Sequence, residues 1–140
     1  MSTHISVKLQ RQIRKQFYDR CAYCQTSESL MAITFEFEHI RPRSIGGLTR
    51  LDNLCLACPP CNRYKSNRQS AIDLATGEQI RFFHPQLDHW TDHFRWRNNF
   101  TKIIPHTSIG KITIEILRMN RPQLVSAREM WVDVGRHPPL

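Results

Sequence analysis

Five cysteines, Cys21, Cys24, Cys55, Cys58 and Cys61, fall in the first half of this 140-residue chain. Two thiolates separated by two residues can reach one zinc ion from a single tight turn. Cys21-Ala-Tyr-Cys24 is one such pair and Cys58-Pro-Pro-Cys61 is another. Cys55 and Cys58 have the same spacing, so spacing alone leaves the second pair open. An odd count argues against a disulfide framework, and clustered thiols in a reducing compartment point to metal. Four thiolates at about 2.3 Å close a tetrahedral shell with no place for water, so the expected zinc is structural. Its binding energy then becomes folding energy.

The elements that must hold these residues can be read from periodicity. Leu9, Ile13 and Phe17 form a helical stripe over Ser6–Arg20, with Ser6 as its N-cap. Met31–Ile40 is rich in β-branched and aromatic residues and reads as a strand. Pro42 and Gly46-Gly47 end it and open a loop. Cys61–Leu74 has no glycine or proline and fits a helix. Gln79–Phe100 is aromatic and His-rich and reads as short strands and turns, in which Asp88, His89, Asp92 and His93 are expected as polar partners around Phe82, Phe83, Trp90, Phe94 and Trp96. A helical region starts at Ser108, another runs from Pro122 to about Val134, and the tail from Arg136 is expected to be loose.

The formal charge is +8, with a pI near 9.7. That balance favours a polyanionic partner. The apolar runs are too short and too interrupted by charge for a membrane helix of about 20 residues. Met1–Gln10 has no apolar core of a secretory signal, so a cytoplasmic location is the default expectation.

Between the cysteine pairs stand Phe37-Glu38-His39-Ile40-Arg41-Pro42-Arg43-Ser44-Ile45-Gly46-Gly47 and Asp52-Asn53-Leu54. Asn62-Arg63-Tyr64-Lys65 follows Cys61. This run, from Cys21 to about Lys65, resembles the HNH endonucleases, the ββα-metal or His-Me finger family. The resemblance implies an α+β fold: a ββα-metal core framed by a four-cysteine zinc site, with an N-terminal helix and a C-terminal strand and helix extension. The family places its last metal-binding Asn directly after the final cysteine, which selects Cys58 and Cys61 with Cys21 and Cys24 as the zinc ligands. Cys55 is left as a small buried hydrophobe.

The same resemblance implies roles. His39 corresponds to the general base, and a neutral imidazole suits that task near pH 7. Asn53 corresponds to the middle Asn that braces the loop and the base. Glu38 and Asn62 correspond to ligands of a catalytic divalent ion, with Mg2+ or Mn2+ expected from the oxygen donors. The family more often has Asp where this chain has Glu38. A regular strand would also point Glu38 and His39 to opposite faces, so the strand is expected to loosen there.

Arg41, Arg43 and Arg50 around the loop, and Arg63, Lys65 and Arg68 along the following helix, are candidates to clamp phosphates. Lys65 falls on a basic position of the family. Ala71–Glu78 and the later His-Phe-Arg-Trp resemble a C-terminal extension of some bacterial HNH proteins. The expected organisation is a core over 1–76 and an extension over 77–140. The expected function is hydrolysis of phosphodiester bonds in DNA, and the alternative is a zinc-stabilised nucleic-acid-binding module without cleavage. The sequence is silent on oligomeric state.

Overall fold

The computed structural model describes residues 4–139. The first three residues of the N-terminal stretch and Leu140 of the tail lie outside the described residues. The chain divides into two compact units, one of residues 1–69 with 84–87 and one of residues 70–83 with 88–140.

The first unit opens with helix α1, Val7–Gln16. Ser6 caps it by accepting a hydrogen bond from the Leu9 amide at 3.1 Å, a contact worth about 1 kcal/mol. Ile13 is its fully buried anchor. A short helix α2, Glu28–Met31, ends where Ala32 turns left-handed. Strand β1 is Glu36–His39, shorter than the expected Met31–Ile40 because α2 takes its first residue. It pairs antiparallel with β2, Leu54–Ala57, in the register Glu36 to Ala57 and His39 to Leu54. Leu54 and Leu56 are fully buried, each contributing about 1.5–3 kcal/mol.

Helix α3, Pro59–Lys65, follows at once. Its two prolines occupy the first turn, where a missing N–H costs no helical bond. It does not run on to Leu74 as the absence of glycine and proline led one to expect. Ser66 has φ 57°, and Ser70–Ile72 forms strand β3 instead. The expectation missed that a polar Ser-Asn-Arg-Gln run offers no apolar stripe to hold further helix on a core.

In the second unit, β3 pairs with β4, Gln79–Arg81, around a turn in which the Asp73 carboxylate accepts from the Ala75 amide. Helix α4, Trp90–His93, leads into β5, Phe94–Trp96, which pairs with β6, Ile103–Pro105. Helices α5, Ser108–Leu117, and α6, Pro122–Asp133, complete it. Four of the five expected aromatics come together, with Phe83 edge-on to Phe94 at 5.3 Å and Trp90 against Phe94 and Trp96, while His89 and Asp92, expected as polar partners, are exposed. Asp88 pairs with Arg81 at 2.7 Å, and His93 Nδ1 lies 2.6 Å from the Thr107 hydroxyl. Arg128 is fully buried and donates to the carbonyls of Thr101 and Met119. The tail is not loose at His137, which is buried, stacks edge-on to Trp96 and bonds the Phe100 carbonyl. The tail prolines concealed that aromatic anchor.

Candidate metal centre and hydrolytic site

Cys21 and Cys24 sit on a tight turn in which the Gln25 amide bonds the Cys21 carbonyl at 2.9 Å. The Ala22 amide bonds the Leu56 carbonyl at 2.8 Å, which ties this turn to β2. Cys58 caps α3 and Cys61 lies within it. All four thiols are fully buried and their sulfurs lie within 4.8 Å of one another. Cys24 and Cys58 Sγ are 3.8 Å apart. A tetrahedron with bonds of about 2.3 Å has an edge of about 3.8 Å, so the cluster has the dimensions of a zinc site. Burial pushes the Cys21 thiol up, whereas hydrogen bonding from Cys21, Cys58 and Cys61 holds Cys24 well below the usual thiol range. Four sulfurs at this spacing in a dry pocket are the donor set of a closed zinc shell, whose ion would hold them as thiolates.

The ambiguity over the second pair resolves in favour of Cys58 and Cys61. Cys55 lies on β2 directly opposite Glu38, and its thiol is 3.4 Å from the Glu38 carboxylate. It is therefore part of a polar pocket rather than a purely apolar filler.

Glu38 departs from its expected place. The strand stays regular through His39, which still pairs with Leu54, so Glu38 and His39 point to opposite faces. Glu38 is 5% exposed and its Oε1 lies 2.6 Å from the ammonium of Lys65, itself 2% exposed. Lys65 lies on α3 one turn beyond Asn62, where its stem reaches the strand. Neither Glu38 nor Lys65 is therefore an exposed group: Lys65 is no phosphate clamp, and Glu38 is closed to an incoming ion. The Tyr23 hydroxyl closes the same pocket, 4.0 Å from Cys55 Sγ. Burial raises the Tyr23 pKa well above its usual value, with help from the Cys55 and Glu38 charges.

Asn62 is half-buried and donates to the exposed Glu36 carboxylate at 2.9 Å. Glu36 was not foreseen as a site residue. Its only signal in the sequence was its place two residues before Glu38, which puts it on the same face. The family implies a divalent ion held through the acid beside His39 and the Asn after the last cysteine. Glu38 and Asn62 do not fit that role together, because Lys65 occupies the cation position at Glu38 and Asn62 faces Glu36.

On the other face, His39 Nε2 lies 2.9 Å from the Thr49 hydroxyl. Burial and then the nearby Arg43 charge hold the His39 pKa below its ordinary value of about 6.5. Thr49 was invisible in the sequence, where nothing but loop position marked it. Asn53 closes the loop: its Oδ1 accepts from the Arg41 amide at 2.8 Å, and its Nδ2 donates to the carbonyls of Arg41 and Leu48. Gly47 is required there, since a Cβ would stand 1.8 Å from the Arg41 carbonyl oxygen.

Arg41, Arg43, Arg50, Arg63 and Arg68 are exposed. Arg41 also donates to the Ile45 carbonyl, and Arg68 to the Tyr64 carbonyl at the end of α3. The structure thus groups His39, Thr49, Asn53 and the loop arginines, and places Glu38 and Lys65 apart from them in the interior.

A strand hairpin and short helix clamped by four cysteines, with a histidine at the strand end, define a ββα element of the metal-stapled kind. The family model for the HNH endonuclease matches residues 21–68, about a third of the chain. That segment is an HNH domain with an α+β core and a four-cysteine metal site. No curated protein and no solved structure matches the chain.

Proposed function

We propose that this protein is an endonuclease that hydrolyses phosphodiester bonds in DNA, with His39 as general base. The observation that carries this reading is the state of His39. Its pKa is held down, so the imidazole is neutral and ready to accept a proton at pH 7. Thr49 engages Nε2, and in the tautomer with its proton on Nε2 the Nδ1 lone pair is the one that takes the proton of an attacking water. Asn53 positions that ring indirectly, by fixing the loop that carries Thr49. The exposed arginines bind the backbone without reading sequence. Zinc is expected only in the four-cysteine site; Mg2+ or Mn2+ enters the assay as the ion the family implies, with Glu38 and Asn62 not fitted to hold it.

The burial of Glu38 favours a second reading, a nucleic-acid-binding module that does not cut. Nicking of supercoiled plasmid in Mg2+ or Mn2+ separates the two. The parent should nick, and His39→Ala, with zinc and fold retained, should lose about 100-fold or more, the usual scale of a general base. Parent protein that binds DNA but never nicks it refutes the hydrolytic reading. A His39→Ala variant that cuts at the parental rate removes His39 from the base role.

A further inference from the structure

Beside His39 the loop over residues 41–49 carries two aliphatic side chains into solvent: Ile45 is 50% exposed and Leu48 is 59% exposed. Isolated exposed apolar residues are ordinary. These two differ in how they are held. The Gly47 amide bonds the Pro42 carbonyl at 3.0 Å, the Ile45 amide bonds the same carbonyl at 3.1 Å, and the Gly46 amide bonds the Arg43 carbonyl at 3.1 Å. Asn53 pins the Leu48 carbonyl, and the Arg41 side chain pins that of Ile45. Gly46 has φ 93°, a backbone state that favours glycine. A loop fixed at this many points cannot turn Ile45 and Leu48 inward. They are presented in a set geometry, with little ordering cost left to a partner that covers them.

We propose that Ile45 and Leu48 form a wedge that enters stacked base pairs of duplex DNA next to His39. The inference rests on the reading that this domain binds nucleic acid, and it adds where and how the duplex is gripped. Charge complementarity selects the occupant, because the exposed Arg41, Arg43 and Arg50 flank the two aliphatics in the same segment. Exposed aliphatic side chains with cations close by in the chain, one of them, Arg50, paired with Asp52, match the combination used to unstack a base step while holding the phosphates. Location supports it too. Leu48 is bonded directly to Thr49, whose hydroxyl lies 2.9 Å from the His39 ring, so a step opened by Leu48 lies close to the phosphate that His39 would meet.

The test uses the 140-residue chain loaded with zinc, with no further divalent ion added, and a duplex that the parent retards in a gel. 2-Aminopurine, bright only when unstacked, is scanned through successive positions. The parent should brighten one or more positions several-fold. Ile45→Ser with Leu48→Ser should abolish that increase while retaining binding to within about tenfold and the same dependence on salt. Ile45→Val with Leu48→Met should restore the signal. If saturating parent protein brightens no position, the wedge is wrong while the nucleic-acid reading stands. If the serine variant brightens the duplex as the parent does, the wedge is likewise overturned. If the parent retards no duplex even at low salt, the underlying reading falls and the wedge falls with it, and the exposed pair is then left to a protein partner.

Discussion

Replacing Lys65 with Met is the sharpest perturbation of the core. The Lys65 ammonium and Glu38 Oε1 are 2.6 Å apart, both side chains are almost wholly buried, and neither atom has a well-angled hydrogen bond elsewhere among the described residues. Lys65→Met therefore leaves a carboxylate in the interior with no cation, beside only the Cys55 thiol and the Tyr23 hydroxyl. Breaking one side of a buried pair costs about 3–5 kcal/mol. For domains of this size that corresponds to a fall in Tm of roughly 10–25 °C. Removing both charges by Glu38→Leu with Lys65→Met should recover most of the loss, because an apolar replacement of similar volume is often neutral. Urea unfolding of zinc-saturated protein gives both values. The double variant should still nick plasmid within a few-fold of the parent, since neither group reaches the His39 face. A cost below about 1 kcal/mol for the single variant, or a folded double variant without activity, would refute the reasoning and return Glu38 to the ion-binding role.

Three further outcomes follow from the loop and the histidine. Asn53→Ala removes three side-chain bonds that close the loop, each worth about 0.5–1.5 kcal/mol, so the Arg41 amide should lose protection in hydrogen exchange and cleavage should fall with it. Because the folded environment favours neutral His39, the single-turnover rate should be flat near pH 7 and fall on acidification through an apparent pKa below about 6.5. Arg43→Ala should move that limb upward, since Arg43 disfavours the imidazolium; an unmoved limb assigns it to another group.

The cysteine knuckles were legible because their spacing is a local property, with the resemblance choosing Cys58 and Cys61 over Cys55, and Ser6 and Pro122 marked helix starts for the same local reason. Asn53 was recognised through the resemblance alone, since by itself an amide after Asp52 reads as an ordinary turn former. What could not be read was facing. Glu38 and His39 are adjacent, and only the register with Cys55 and Leu54 decides that one meets Lys65 and the other Thr49. The end of α3 escaped for a related reason, because Ser66–Gln69 lack a breaker and β3 exists only through its pairing with β4. His137 was hidden by flanking prolines, and its burial depends on Trp96, far away in sequence.

Hydrogen exchange of the β1–β2 hairpin during zinc removal tests the central claim most directly. Four sulfurs at tetrahedral spacing are held to fix β2, and through it the strand that ends in His39, so zinc supplies much of this unit's stability. Purified protein should carry one zinc per chain, and a chelator should collapse protection at Glu38, Ile40 and Cys55, whose amides lie in the hydrogen-bonded pairs of the hairpin. One equivalent of zinc should restore it. A hairpin that keeps full protection after every zinc ion has been withdrawn would contradict the account.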